Sequence, residues 1–532
     1  MERIYKGIFP PENTNIIWLD ISNKIPVLKK FNGDWEVIND FSESEDEKKI
    51  YEEISRVESK EDNKITILES SVNTELSKKV NIQSCEKGYF LASPYDSEGN
   101  PTYRKIGLND LPDNIYPSLT YGVEFDTTVS SHKLTRIGSP ALHRSLPIQN
   151  AMRGCLLDDE GNVVEYLPND DWTTATRDGS KGQVMVEIPL HYRKCETDGT
   201  KRRVWLSEYP LPGYHAVPKR YVSAYQAALQ RSTNKLSSVV NSDADYRGGK
   251  NTSDWDGTYR SVLGMPATAI KLTDYRTYAR NRKSGSTAWN CMTYGTYKAI
   301  YWLYMVEYAN FNSQLGYTAE LTTEGYHQSG LGIGVADMPD WEDYNSLSPI
   351  IPCGVTDTLG NNTGVVTHNV IASDGESVHY AAPVPRYRGI ENPFGHLRQW
   401  ADGVLVEIGA DSDTGLSKVY VASDPADFAS TITDGYSYVG NEARTSGYIK
   451  EHIFGEGGDI IPAVVGGGSG TYLCDYHYTL LPSSGSVTRG VMFGGQAFYN
   501  ARVGFASVDS LGAPSVTPAY VGSRLCYIPT TD

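Results

Sequence analysis

Apolar positions along the chain fall into three patterns, each changing at a recognisable break. Near the start, short runs alternate with turn signals: 16–20 (Ile-Ile-Trp-Leu-Asp) and 26–31 (Pro-Val-Leu-Lys-Lys-Phe) read as strands, and Asn32-Gly33 turns the second into a third over 34–38. These predict a small β module over 1–41, too short to bury much surface alone. From Phe41 the chain becomes charged, and apolar residues then recur at Ile50, Ile54, Val57, Ile65, Leu68, Val72, Leu76 and Val80. Steps of three and four make a heptad seam, the longer step from Val57 to Ile65 fits a stutter, and β-branched residues at both seam positions favour three strands. The expectation is a trimeric coiled-coil stem over 42–82.

Beyond Asn81 the pattern turns β-like. Turn clusters at 96–99, 158–162 and 198–199 separate short strands such as 182–189 and 202–207, predicting a β-rich connector over 83–209. Two stretches then show helical spacing: 219–230, with Tyr221, Ala224, Tyr225, Ala228 and Leu229 on one stripe, and 296–309, with Tyr297, Ile300, Tyr301, Leu303, Tyr304 and Tyr308, capped by Thr293 or Thr296. Downstream of Asn310 short strands lie among loops rich in Gly, Ser, Asn and Asp. The fold class is therefore α+β, with a large C-terminal domain over 210–532 containing two helices and many loops.

Composition narrows the function. Across 532 residues the formal charge is -17, which disfavours nucleic acid and anionic membranes as partners, because neutralising phosphates needs a basic face. Residues 1–6 hold no apolar leader segment and no apolar run is long enough to span a bilayer, so synthesis in a cytosol without membrane insertion is expected. Seven scattered cysteines without CxxC spacing read as free thiols. Tyrosine is unusually abundant, 37 against 12 Phe, alongside 50 Gly; rigid amphipathic rings among small adaptable residues suit an adhesive surface.

Three C-terminal stretches carry a resemblance. Gly395 through Trp400 and Asp402 to Gly403 looks like a glycine, tryptophan and aspartate turn-and-strand signature. Arg489 followed by Gly494-Gly495 looks like an arginine and double-glycine strand entry, and Gly522 with Arg524 like a closing strand. Together they resemble the C-type-lectin-fold proteins that include formylglycine-generating-enzyme-like domains and the variable proteins of diversity-generating retroelements. The strings at 121–128, 146–150, 183–189 and 387–394 resemble structural proteins of phages and prophages of gut bacteria.

Catalytic signatures are weak by comparison. The reactive cysteine pair of the formylglycine-generating group is not matched: Cys526 sits two residues after Arg524, and no cysteine neighbours Arg502. The histidines, among them His143, His191, His396 and His477, form no HExxH or HxH arrangement and read as structural. Ser329-Gly330-Leu331-Gly332-Ile333-Gly334 does not open a helix in a βαβ unit, and Asp411 with Asp413 places Gly415 one position early for a calcium loop. No cofactor, metal or catalytic residue is expected, and the chain reads as a binding protein, not an enzyme.

What the resemblance implies is a phage tail-fibre adhesin: a homotrimer attached to other tail proteins through its N-terminus, located in the virion, and binding a bacterial surface receptor, glycan or protein. In retroelement-variable proteins the last segment of the domain presents the diversified residues. The corresponding contacts here are Gln496, Phe498, Tyr499, Asn500, Arg502, Ser507, Asp509, Ser510, Val516 and Tyr520, interleaved with small residues at Ala497, Ala501, Gly504, Ala513 and Ala519. The competing readings are a tail-associated enzyme that degrades host surface polysaccharide and a structural collar or baseplate protein.

Overall fold

The computed structural model describes residues 113–249, 263–336, 349–371, 376–410 and 415–529, together with six strands before residue 106. The chain divides into two units, Met1–Gly107 and Leu108–Asp532. In the first, Ile4–Gly7 pairs parallel with Ile17–Asp20, which continues antiparallel through Val27–Phe31 to Trp35–Asp40; Tyr89–Ala92 and Thr102–Lys105 form a separate antiparallel pair. The coiled coil expected over 42–82 lies outside the described residues.

The second unit is predominantly β, with few helices. A six-stranded sheet runs in the order Val163–Tyr166, Arg153–Leu157, Gln183–Ile188, Arg220–Ser223, Leu525–Tyr527, Trp289–Cys291. The strand nearest the C-terminal end therefore lies between strands from 220 and 289, on a sheet begun by residues 153–188. This overturns the boundary expected at 209/210: the connector and the C-terminal domain share one sheet and one core, and a cut there would strip the sheet of the strands that its later members need for hydrogen bonding. A second sheet orders His215–Val217, His191–Asp198, Lys201–Ser207, Tyr121–Asp126, Thr135–Gly138. A third, larger sheet centres on the long strand Arg398–Gly409, which lies between Ser417–Val421 and Ser486–Gly494; Gly504–Asp509 follows on the far side of Ser486–Gly494.

The helix expected over 219–230 is absent. Arg220–Ser223 is a strand buried on both faces, and Ala228–Gln230 forms a hairpin with Lys235–Ser237. Short apolar runs fit a buried strand as well as a helix, and the free edges of Gln183–Ile188 and Leu525–Tyr527 decide between them here. The helical pair consists instead of α1 (Leu272–Arg280), whose buried Leu272, Tyr275, Arg276 and Ala279 repeat at helical spacing, and α2 (Tyr294–Tyr308). Thr293 caps α2, accepting from the Thr296 amide as expected. Thirteen of the fifteen α2 residues are buried, so it is a central helix wrapped by sheet and not a one-sided amphipath.

The expected signature residues hold this framework together. Trp400 is fully buried, and its indole nitrogen donates to the Ile270 carbonyl at 3.3 Å. Asp402, also buried, accepts two bonds from the Arg276 guanidinium at 2.6 and 2.7 Å and so ties α1 to the long strand. Among the described residues six cysteines are free, and of these Cys526 is buried with its thiol pushed up to about 11 by desolvation. Removing one partner of a buried ion pair leaves the other charge unsolvated. Asp402→Ala should therefore lower unfolding free energy by about 3–5 kcal/mol, read from guanidinium denaturation midpoints; a loss under about 1 kcal/mol would mean that Arg276 finds other partners.

Candidate functional site

The segment from Gly494 to Gly522 begins at a sharp turn. Gly495 has φ +69°, and a Cβ there would lie 2.4 Å from Val503, so this reversal requires glycine. Ala497 then packs into an apolar cluster with Val335, Ile350, Ile351 and Val384, while its amide donates to the His396 carbonyl at 3.1 Å. The Asn500 amide donates to the Ala336 carbonyl at 2.7 Å. With the small residue anchored, Phe498, Asn500 and Arg502 project outward and Tyr499 is half-buried.

From Gly504 the chain enters a strand whose six residues are all buried. It runs parallel to Tyr476–Tyr478, with Tyr478 beside Asp509. Along that partner strand the faces alternate: His477 is fully buried, whereas Tyr476 is half-buried on the other side. Tyr448 sits opposite Tyr476 on the next strand. The result is a row of rings: Tyr448 to Tyr476 at 5.1 Å, Tyr476 to Tyr478 at 4.6 Å, Tyr478 stacked on Tyr499 at 4.7 Å, and Tyr499 to Phe498 at 5.8 Å. Two arginines flank it. The exposed Arg502 guanidinium lies 5.0 Å from the Tyr476 ring, and the buried Arg398 guanidinium lies 5.1, 4.8 and 5.4 Å from Tyr478, Tyr499 and Tyr520. Cation–π attraction on both sides restrains the rings without closing over them.

Beneath the row is a buried polar layer. Arg398 is ion-paired to Asp509, whose other oxygen accepts from the Leu511 amide at 2.8 Å. Ser510 donates to Glu442 at 2.9 Å, and Glu442 lies 3.9 Å from the His477 imidazole. Desolvation pushes the Glu442 carboxyl up to about 8 and drops His477 to about 4, so at neutral pH both are predominantly uncharged. Further in, Asp475 accepts from Gln314 at 2.7 Å and from the Ala506 amide at 2.6 Å, and burial raises its carboxyl well above the usual range. Helix α2 supports the segment from below: the Tyr297 ring stacks on Phe493 at 4.4 Å, and its hydroxyl donates to the Phe505 carbonyl at 3.0 Å.

Four of the ten expected contacts are thereby corrected. Gln496, Ser507, Asp509 and Ser510 are buried and serve as scaffold: the strand carrying Ser507 and Asp509 is covered on both faces, and Ser507 and the Ser510 that follows the strand bond inward. Phe498, Asn500, Arg502 and Val516 are exposed, and Tyr499 and Tyr520 are half-buried. Tyr448, Tyr476, Tyr478 and Arg398 were not anticipated. The alternation Tyr476-His477-Tyr478 was the available signal, but only the sheet brings it beside residue 499.

His143, His191 and His396 are likewise buried and held neutral by desolvation, at about 4, 3 and 3. The expected glycine and arginine positions are structural. The Gly395 amide donates to the Gly494 carbonyl at 2.9 Å, Gly522 pairs with the long strand, Arg489 is half-buried on Ser486–Gly494, and Arg524 is interior. Asp411 and Asp413 lie outside the described residues.

No protein-family model and no curated protein matches the chain. Two solved structures align with 64% of it and with 72% of their own chains: the Major Tropism Determinant I1 variant, at 12% identity and TM-score 0.19, and the U1 variant, at 10% and 0.17. Superpositions this loose define no common fold.

The raised Glu442 carboxyl has a consequence for stability. Its folded value, about 8, exceeds the ordinary 4.5, so the folded state holds the proton more tightly; stability is fullest below 4.5 and is lost as pH rises through about 8. Wild type should lose about 1.4 kcal/mol per pH unit across that window relative to Glu442→Gln, in denaturation midpoints compared at about pH 5 and about pH 9. Parallel profiles for the two proteins would refute the assignment.

Proposed function

We propose that this chain is a receptor-binding adhesin of a tailed bacteriophage and that it touches its receptor through the ring row and its exposed flank, chiefly Phe498, Tyr499, Asn500, Arg502 and Tyr476. One observation carries the reading: aromatic rings and an arginine are held half-open to solvent on a rigid sheet, while the polar groups below are bonded to one another. Interface hot spots favour aromatic and arginine side chains that are already ordered, because little entropy is then lost on contact. The order of the glycine, tryptophan, aspartate and arginine motifs, which resembles C-type-lectin-fold variable proteins, supports the same reading, as do the phage-like strings upstream.

In this proposal the protein is a homotrimer clamped over 42–82, attached to the tail through residues 1–41, and acts by binding, without catalysis. Three heads facing one surface would multiply weak contacts through effective concentration, by roughly 10²–10⁴.

Fluorescently labelled full-length protein, titrated onto a panel of gut-bacterial isolates in flow cytometry, should stain a subset saturably. Tyr499→Ala combined with Arg502→Ala should weaken staining at least roughly tenfold while leaving thermal unfolding near wild type. Equal staining by the double variant would remove the ring row from the binding site. Light scattering should return three times the chain mass, and a monomer would reject the avidity mechanism.

A further inference from the structure

A second concave site lies on the outward face of the sheet that contains Lys201–Ser207, and it shares no residue with the ring row. Cβ alternation puts Val204 and Leu206 in the core, leaving Arg203 and Trp205 on the outer face; across the strand pair, Lys194 faces Trp205 and Glu196 faces Arg203. Outward positions of such a sheet are normally charged, as Lys194, Glu196 and Arg203 are, so a half-exposed tryptophan among them calls for an explanation. On its other side stands Gly122, which has no side chain to meet the indole.

Two turns raise walls around Trp205. The 113–119 turn supplies Tyr116. The Leu211-Pro212-Gly213-Tyr214 turn, closed by the Tyr214 amide on the Leu211 carbonyl at 3.0 Å, supplies Leu211 and Tyr214. Gly213 has φ +76°, as the third position of a proline-glycine turn requires, and a Cβ there would lie 3.3 Å from the Lys194 side chain. The pocket between them is open to solvent and about 520 Å³, within the range of small-ligand sites.

Its polar groups are already matched to one another. The Glu196 carboxylate accepts from the Trp205 indole at 2.7 Å and pairs with the Lys194 ammonium at 2.8 Å, and both side chains remain about one-third exposed. This arrangement discriminates between ligand classes. An anion would meet a lysine already neutralised and a carboxylate beside it, a cation would meet a carboxylate already paired, and a wholly apolar ligand would strip water from both charges. A neutral polyol suits all three features: its hydroxyls both donate and accept, so they can use the remaining lone pairs of Glu196 and the remaining N–H groups of Lys194 side by side, while its C–H face lies on Trp205, Tyr214 or Tyr116.

We propose that the pocket formed by Tyr116, Lys194, Glu196, Trp205 and Tyr214 binds a neutral sugar residue, giving the chain a saccharide site separate from its C-terminal surface.

Saturation-transfer NMR on the full-length protein tests this with the methyl glycosides of glucose, galactose, mannose and N-acetylglucosamine, and with tetramethylammonium and sulfate as ionic probes. At least one glycoside should bind. Trp205→Ala should weaken it roughly tenfold or more, the loss expected for one stacked aromatic face, whereas Arg502→Ala should leave it unchanged. Should Trp205→Ala fail to fold, Glu196→Gln, which keeps the shape and removes the charge, should still weaken binding about tenfold. Absence of binding by all four glycosides, undiminished binding in these pocket variants, or displacement of the glycoside by either ion would overturn the proposal. Sensitivity to Arg502→Ala would move the sugar to the ring row and overturn it equally.

Discussion

One buried guanidinium organises the end of this chain. Arg524 donates through Nε to the Gln399 side chain at 2.9 Å, and through its terminal nitrogens to the carbonyls of Ser223 at 3.1 Å, Asn392 at 2.7 Å and Glu391. It thereby joins a strand of the six-stranded sheet to the strand Ile390–Glu391 and to the long central strand of the large sheet. Burial pulls its pKa down to about 10, still far enough above neutrality to keep the charge. Because the donors point in fixed directions to fixed carbonyls, residues 521–527 have one position available.

That constraint fixes the presented surface. The segment from 495 to 520 is pinned at one end by the Gly494-Gly495 turn and the long strand, and at the other by Val521–Gly522 pairing with Arg398 and Gln399. Between these ends it is fastened again at Ala497, Asn500 and Asp509. A segment so often tethered can vary its outward side chains while its backbone stays put, since the energy that orders it comes from Ala497, Ser510 and the strand 504–509, not from Phe498 or Arg502. Rigid support of exposed rings also reduces the entropy lost when a partner docks.

Tyrosine, the residue that first marks this chain as unusual, does two different jobs within a short distance. In α2, Tyr294 and Tyr297 fill the core and direct their hydroxyls to Asp459 and to the Phe505 carbonyl. At 448, 476 and 499 the same side chain stands half-open in a row. The amphipathic ring suits both places, so abundance alone could not assign any one tyrosine to either. The large fraction of buried polar groups follows from the same architecture. The strand covered on both faces carries Ser507 and Asp509 into the interior, and the loop entering Tyr476–Tyr478 does the same for Asp475, so each must find a partner.

Local sequence determined the features whose cause is local. The Thr293 cap and the helix after it, the strands at 183–188 and 201–207, and the alternation of small anchored and large projecting residues at 497–502 were all legible, because each depends on backbone conformation or on near neighbours. The helical spacing of Leu272, Tyr275, Arg276 and Ala279 is equally local. Tertiary structure alone decided whether 220–223 would be strand or helix, since free sheet edges elsewhere in the chain settle a run that satisfies both periods. It alone removed the boundary at 209/210, by placing 525–527 between 220–223 and 289–291, and it alone buried Ser507, Asp509 and Ser510 while bringing Tyr448, Tyr476 and Arg398 to the surface loop. Each of these outcomes depends on contacts between residues tens to hundreds of positions apart, and a pattern read along a short window carries no information about which distant edge or charge will arrive.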